Sequence, residues 1–246
     1  MQLLDTTSII PLYEQLKNII LNDIKEGKLK PNQKIPTEME FSKKYKISRM
    51  TVRKALSELV DEGVLAKKQG KGTFVLEKKM VEDLSSPNSF TKLCQRNKKE
   101  PGGKTLLFVM EKPKEHDKRT LGLNKDEKII HLKRIRTADN IPVMLENIYF
   151  PGHLNRIMTE DLNDTSLYQI LQEKYGIYSG NSVMEISVCV AKPEEASLLQ
   201  IKRGSPCLLM EEVVYDQNNN PLHKTKSIIR GDKFKYISPR MNVTKN

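Results

Sequence analysis

Arg49 and Arg53 stand four residues apart, with Thr51 and Lys54 beside them, in the stretch Ser48-Arg49-Met50-Thr51-Val52-Arg53-Lys54. On a helix that spacing puts both guanidiniums on one face. Val52, Ala55, Leu56 and Leu59 carry the apolar phase, which turns the arginines outward. A forked donor at the N-terminal end of an exposed helix matches guanine O6 and N7 in a major groove. Thr51 and the helix N-terminus match a backbone phosphate. Solvated surface arginines are the competing reading. Downstream, Lys67, Lys68 and Lys71 place charge around Gly70 and Gly72, which let a strand tip approach a groove floor closely. An ordinary glycine turn is the alternative there.

A second constellation lies in Lys133-Arg134-Ile135-Arg136-Thr137. In a strand Arg134 and Arg136 point to the same face, so two guanidiniums converge on one spot and call for an anion. A ligand phosphate or carboxylate suits both forks, and so do protein carboxylates. Glu146, on the next strand, is either a ligand contact or the partner of those arginines. Ser166 and Tyr168 open a helix whose free N–H groups also receive an anion, or are simply a cap and a core residue. Cys94, Cys189 and Cys207 are odd in number and widely spaced, and the four histidines are scattered. No disulfide framework, zinc set or nucleophilic triad can be assembled from them, so neither a metal, a cofactor nor an enzyme is expected.

Helices and strands must position these groups. Pro11 to Glu26 is helically periodic, Thr37-Glu38-Met39-Glu40 has the form of a capping box, and Ser48 is an N-cap for a third helix closed by Gly63. Two β-prone runs then flank Gln69-Gly70-Lys71-Gly72 as a hairpin. This order describes a winged helix-turn-helix over residues 1–76. The polar segment 77–88 reads as a linker. Residues 89–246 carry six strand candidates, Lys104–Glu111, Lys128–Thr137, Met144–Tyr149, Ser182–Ala191, Cys207–Tyr215 and Lys224–Ile229. Four helices are expected among them, and the class is α+β around an antiparallel sheet. The net charge of +11 favours an anionic partner, and residues 1–80 hold 16 Lys/Arg against 10 Asp/Glu. Neither a signal peptide nor a membrane helix is legible, so a cytoplasmic protein with no membrane partner is expected.

The stretches Pro11-Leu12-Tyr13, Gly27-Lys28-Leu29, Ile35-Pro36-Thr37-Glu38, Ser48 to Leu56 and Gly70 to Val75 resemble the GntR family of bacterial regulators. The resemblance implies that Arg49 and Arg53 read the operator, Thr51 touches its backbone and Gly70 enters the minor groove. The expected DNA-contacting set is Thr37, Glu38, Lys43, Arg49, Thr51, Arg53, Lys54, Gly70, Lys71, Gly72 and Thr73. Many family members carry an arginine where this chain has Met39, which narrows the base contacts. The second domain is similar to the UTRA effector-binding module of the HutC branch. Its resemblance rests on Ser89-Phe90-Thr91, Arg134 to Asp139, Pro142 with Glu146, Thr165 to Tyr168, and Ser227 with Arg230-Gly231-Asp232.

That module is similar in fold to chorismate lyase, an antiparallel sheet flanked by helices, and binds small metabolites, often phosphorylated sugars. By resemblance Ser89, Thr91, Arg134, Arg136 and Ser166 hold the anionic group, and Glu146, Tyr168 and Arg230 line the rest. Several relatives have Glu-Tyr where His223-Lys224 stands, so Lys224 is expected to add a cation for a more anionic ligand. The implied protein is a homodimeric, effector-responsive repressor on a pseudo-palindromic operator.

Overall fold

The computed structural model describes residues 4–85 and 89–239. The chain divides into two compact units at Lys78/Lys79.

In the first unit α1 (Leu12–Lys25), α2 (Glu38–Tyr45) and α3 (Arg49–Asp61) precede a two-stranded wing, β1 (Leu65–Lys68) and β2 (Gly72–Val75). The capping box forms: the Thr37 hydroxyl accepts from the Glu40 amide, and Glu40 Oε2 accepts from the Thr37 amide at 2.7 Å. Lys46, left-handed at φ 56°, ends α2, and Ser48 caps α3. Leu16 and Ile20 of α1 meet Phe41 of α2, Val52, Ala55, Leu56 and Leu59 of α3, and Leu65 and Val75 of the wing. Lys17 pairs with Glu58 at 3.2 Å and with Glu62, tying α1 to α3. Residues 32–35 lie along β2, with the Ile35 amide donating to the Thr73 carbonyl. Gly70 turns the wing at φ +70°, and a side chain there would meet open space.

The second unit is built on one six-stranded antiparallel sheet. Its strands are β4 (Pro101–Glu111), β5 (Ile129–Ala138), β6 (Ile141–Pro151), β7 (Ser179–Val190), β8 (Pro206–Asp216) and β9 (Pro221–Arg230), in the spatial order β4-β5-β6-β9-β8-β7. All six strand candidates are present, as are α4 (Phe90–Arg96), α5 (Glu115–Leu121), α6 (Leu167–Tyr175) and α7 (Pro193–Leu198). Two apolar clusters cover one sheet face. The first joins Ile130, Leu132, Ile148 and Phe150 to Leu167 and Leu171 of α6. The second joins Met144 and Ile229 to Leu93, Met80 and Phe234. The opposite face packs Leu145, Cys207 and Ile228 against Ala196 and Leu199.

The segment expected as a linker holds a strand. Residues Met80–Asp83 (β3) pair in parallel with Phe234–Ile237 (β10). Met80 is the reason: it is 4% exposed and anchors β3 in the second apolar cluster. At the other side of the sheet, β7 is an edge strand of 12 residues with Val183, Val188 and Val190 exposed.

Candidate nucleic-acid interface and ligand pocket

On the first unit the N-terminal turn of α3 is open. Arg49 is exposed, and the Thr51 hydroxyl lies 2.8 Å from Ser48 Oγ at the helix start. Arg53 is held by Glu38, the first residue of α2, with Nε 3.2 Å and Nη2 3.0 Å from Glu38 Oε2. The Arg53 hydrogen bond, with Lys67 and Arg49 adding charge, keeps the Glu38 carboxyl below the usual carboxylate range. A shallow pocket lined by Glu38, Arg53, Lys67 and Thr73 joins α2, α3 and the wing base. Lys43 and Lys71 are exposed, and Gly72 starts β2. Lys54 departs from the cluster, its ammonium lying 3.7 Å over the Tyr13 ring on the α1 side. Met39 is exposed and apolar beside Glu38.

On the second unit the two arginines converge as strand alternation requires. Arg134 and Arg136 are 4% and 2% exposed, and Arg134 Nη2 meets Glu146 Oε2 at 3.0 Å across the β5–β6 register. Arg136 Nη1 donates to the Thr165 carbonyl at 3.3 Å, and its guanidinium sits 4.7 Å from the centre of the Phe90 ring. Gly103 makes room for it, since a Cβ there would lie 2.9 Å from both Arg136 Nη1 and the Ile135 carbonyl. Burial lowers the pKa of Arg136, and Arg134 adds to the effect.

Ser227 is the register partner of Glu146 and is fully buried. Among the described residues its hydroxyl, Thr105 Oγ1, Arg134 Nε and Nη1, Arg136 Nε and the Tyr236 hydroxyl are buried without a hydrogen-bond partner. Each such group costs roughly 1–3 kcal/mol when left unsatisfied. Ser227 and Thr105 were not singled out as site residues. The period-two polar run His223, Thr225, Ser227 in β9 was the available signal.

Tyr168 completes one wall. Its hydroxyl lies 2.9 Å from His223 Nε2, while His223 Nδ1 lies 3.1 Å from Thr225 Oγ1. Burial, with help from Arg134, pushes the His223 pKa down to about 3, so the ring is neutral. Burial raises the Tyr168 pKa. Ser166 and Ser89 act as N-caps, accepting from the Gln169 and Lys92 amides. Thr91, in the first turn of α4, is half-buried.

Two expected pocket residues lie elsewhere. Lys224 falls between His223 and Thr225, so alternation sends it to the opposite sheet face. There its ammonium meets Asp117 of α5 at 2.9 Å, and both side chains are about nine-tenths buried. Arg230 shares that phase: it donates to the Pro142 and Leu199 carbonyls and closes a pair with Asp232 at 2.7 Å. Neither is available to an anion beside Arg134. Among the described residues no cluster of His, Cys, Asp or Glu has the makings of a metal site, and no helix is long and apolar enough to cross a membrane.

Comparison with known proteins gives two family matches. Residues 12–75 match "Bacterial regulatory proteins, gntR family", and residues 96–235 match the UTRA domain. The chain is 33% identical over 230 residues to the HTH-type transcriptional repressor NagR of Bacillus subtilis, covering 94% of this chain and 95% of that protein. It is 29% identical to a probable fructoselysine utilization operon transcriptional repressor of Escherichia coli, covering 91% and 92%. Its fold is similar to the crystal structure of PhnF from Mycobacterium smegmatis, with a TM-score of 0.72 at 24% identity over 93% of this chain and 98% of that one.

Proposed function

The chain belongs to the gntR family of bacterial regulatory proteins and carries a UTRA domain, and from that premise we propose a homodimeric repressor whose hold on its operator is set by a phosphorylated sugar or a closely related anion. As a member of that family it is a DNA-binding transcriptional regulator rather than an enzyme. It works in the cytoplasm, beside the DNA it controls.

Two copies present two α3 helices to half-sites of a pseudo-palindrome. Arg49 and Arg53 read base edges. Thr51, Lys43, Lys67 and Lys71 take phosphates, and Gly70 carries the wing tip into the minor groove. The DNA-binding domain runs over 1–76, and the effector domain opens with β3 at Met80.

The observation that carries the effector reading is the set of buried, unsatisfied donors on Arg134, Arg136, Ser227 and Thr105. Of the two guanidiniums, Arg134 is ion-paired with Glu146, and the remaining buried donors of both are short of acceptors. A phosphate offers three acceptor oxygens and the missing charge. The sugar part rests on the pocket's hydroxyl-rich walls and on the sugar-derived compound named for the fructoselysine relative. A route to the DNA-binding unit runs from Arg136 to Phe90, along α4 to Leu93, and onto Met80 at the start of β3. Coupling between such sites is typically ~1–3 kcal/mol.

The test is thermal unfolding of the full chain against sugar phosphates, phosphonates and organic acids, followed by operator binding with each compound that shifts the midpoint. A ligand at 100 times its Kd adds about 2.7 kcal/mol of stability. A shift that disappears in Arg134→Ala supports the reading. A panel in which no anion shifts the midpoint refutes it.

A further inference from the structure

Two of the three cysteines oppose each other at one edge of the six-stranded sheet. Cys189 of β7 and Cys207 of β8 are direct register partners in the antiparallel ladder. Both belong to the apolar cluster of Leu145, Ile228, Ala196 and Leu199, where Cys207 is buried and Cys189 half-buried. Both are free thiols, and Cys94, the third, lies on α4 in a different apolar cluster.

The class of the pair follows from its neighbours along the ladder. The Ala191 amide donates to the Ser205 carbonyl opposite it at 3.0 Å, so every second pair from there is of the hydrogen-bonded kind. Pro206, which has no N–H, accordingly stands opposite Val190 in a non-bonded place. Cys189 and Cys207 come next in the bonded phase, which sets their Cα atoms about 5.5 Å apart. A disulfide spans Cα separations of about 4.4–6.8 Å, so the backbone already stands within reach. Only the Cβ atoms must approach, from about 5.5 Å in such a pair to about 4 Å in a disulfide. β7 can yield that movement, because β8 is its single ladder partner among the described residues.

We infer that Cys189 and Cys207 form a reversible dithiol–disulfide couple whose oxidised form clips the α7 segment onto the sheet. The link closes a loop over residues 190–206, which contains α7. Ala196 and Leu199 of that loop pack against Leu145 and Ile228. Arg230, the register partner of Cys207, already donates to the Leu199 carbonyl.

The oxidant is a hydroperoxide. The sulfur of Cys189, the more open thiol, bonds to one peroxide oxygen as the O–O bond breaks. Hydrogen peroxide thereby yields a sulfenic acid and one water. The Cys207 sulfur then bonds to the Cys189 sulfur, the S–O bond breaks, and the departing hydroxide takes the Cys207 proton as a second water. Two thiols have lost two hydrogens, and the peroxide is reduced to two waters. Small-molecule thiols reverse the bond by exchange. Burial raises the pKa of both thiols, that of Cys207 to about 11, with Cys189 adding to it, so thiolate is scarce and oxidation slow. A link that must draw an edge strand inward is strained, and strained disulfides are the easily reduced ones. The couple thus registers sustained peroxide exposure and clears when it ends.

The experiment treats the full-length protein with hydrogen peroxide, alkylates the remaining thiols, and maps non-reduced peptides by mass spectrometry. The expected product is an intrachain link between the Cys189 and Cys207 peptides, two hydrogens lighter than the thiol pair. Cys94 stays a thiol, and dithiothreitol restores the other two. Hydrogen exchange over residues 190–206 should slow in the oxidised chain, and neither change should occur in Cys189→Ser or Cys207→Ser. Absence of the link after peroxide treatment overturns the couple. So does Cys189 halted at the sulfinic acid with Cys207 free, or a link to Cys94 or between two chains. A link that leaves exchange over 190–206 unchanged overturns the clip. The wild-type peptide map decides the matter even if a variant does not fold.

Discussion

The Glu38 carboxylate grips the Arg53 guanidinium from the neighbouring helix, so an acidic residue fixes the direction of the cation we propose as a base reader. Arg53→Ala is expected to lower operator affinity by about 1–3 kcal/mol and to relax the base preference at one position of each half-site. Glu38→Ala is expected to lower the ratio of operator to random-sequence affinity, although it removes a negative charge from a DNA-binding face. Its cost in fold stability stays within about 1 kcal/mol, because Arg53 is half exposed. Fluorescence anisotropy with operator and scrambled duplexes checks both. Improved operator selectivity in Glu38→Ala would refute the aiming role.

Lys71→Ala is expected to weaken binding to operator and scrambled DNA alike. The slope of log affinity against log salt should fall by about 1, as for one phosphate contact. A salt series on both duplexes measures it, and a sequence-selective loss would place Lys71 on a base instead.

Gly103→Ala is expected to abolish the effector response without removing any ligand contact. Its Cβ would collide with Arg136 Nη1 and with the fixed Ile135 carbonyl, so the guanidinium must leave its position. The readout is operator release by a compound that shifts the wild-type midpoint, alongside unchanged operator affinity in its absence.

Lys224→Met is expected to destabilise the second unit by roughly 3–5 kcal/mol, because it strands the buried Asp117 carboxylate. Replacing Asp117 by Leu in the same chain should recover much of that loss. Denaturant unfolding of the single and double variants tests the pairing, and the double variant should keep its effector response.

His223 and Glu82 pull the pH dependence of stability in opposite directions. The His223 pKa is depressed to about 3 in the fold, so its unfolded form binds a proton between pH 3 and 6.5 and stability falls as the pH drops through that range. The Glu82 pKa is raised to about 7, so its folded form keeps a proton that the unfolded chain loses above pH 4.5, and stability falls as the pH rises towards 7. Between pH 4.5 and 6.5 the two slopes, each up to about 1.4 kcal/mol per pH unit, oppose each other. Unfolding midpoints of His223→Gln at pH 5 and 6 should therefore drop with rising pH relative to wild type, and those of Glu82→Gln should climb.

The reading head was legible because its signals are local. Caps at Thr37 and Ser48, the apolar phase of α3 and the glycine hairpin each lie within a few residues of what they determine. The convergence of Arg134 and Arg136 was legible from alternation within one strand. Which residues of other strands join them depends on register, which no single strand encodes. Lys224 and Arg230 were expected in the pocket, yet their phase in β9 sends them to the far face. Ser227 and Thr225, in the other phase, stand where they were not sought. β3 and β10 are four residues each and about 150 residues apart, too short for a period and too distant for a hairpin signal.

The exposed edge of the sheet sets a condition on handling the protein. β7 presents an open row of backbone donors and acceptors flanked by Val183, Val188 and Val190, and Glu185 is its only charged residue. Such an edge templates further strands unless a charge or a bulge interrupts it. The bulge near Ser179–Ser182 guards one end, and Glu185 guards the middle. Glu185 is thus a gatekeeper against aggregation: its loss turns eight residues, from Ser182 to Cys189, into an uncharged β-prone run whose failure would be read as turbidity rather than as a change in regulation.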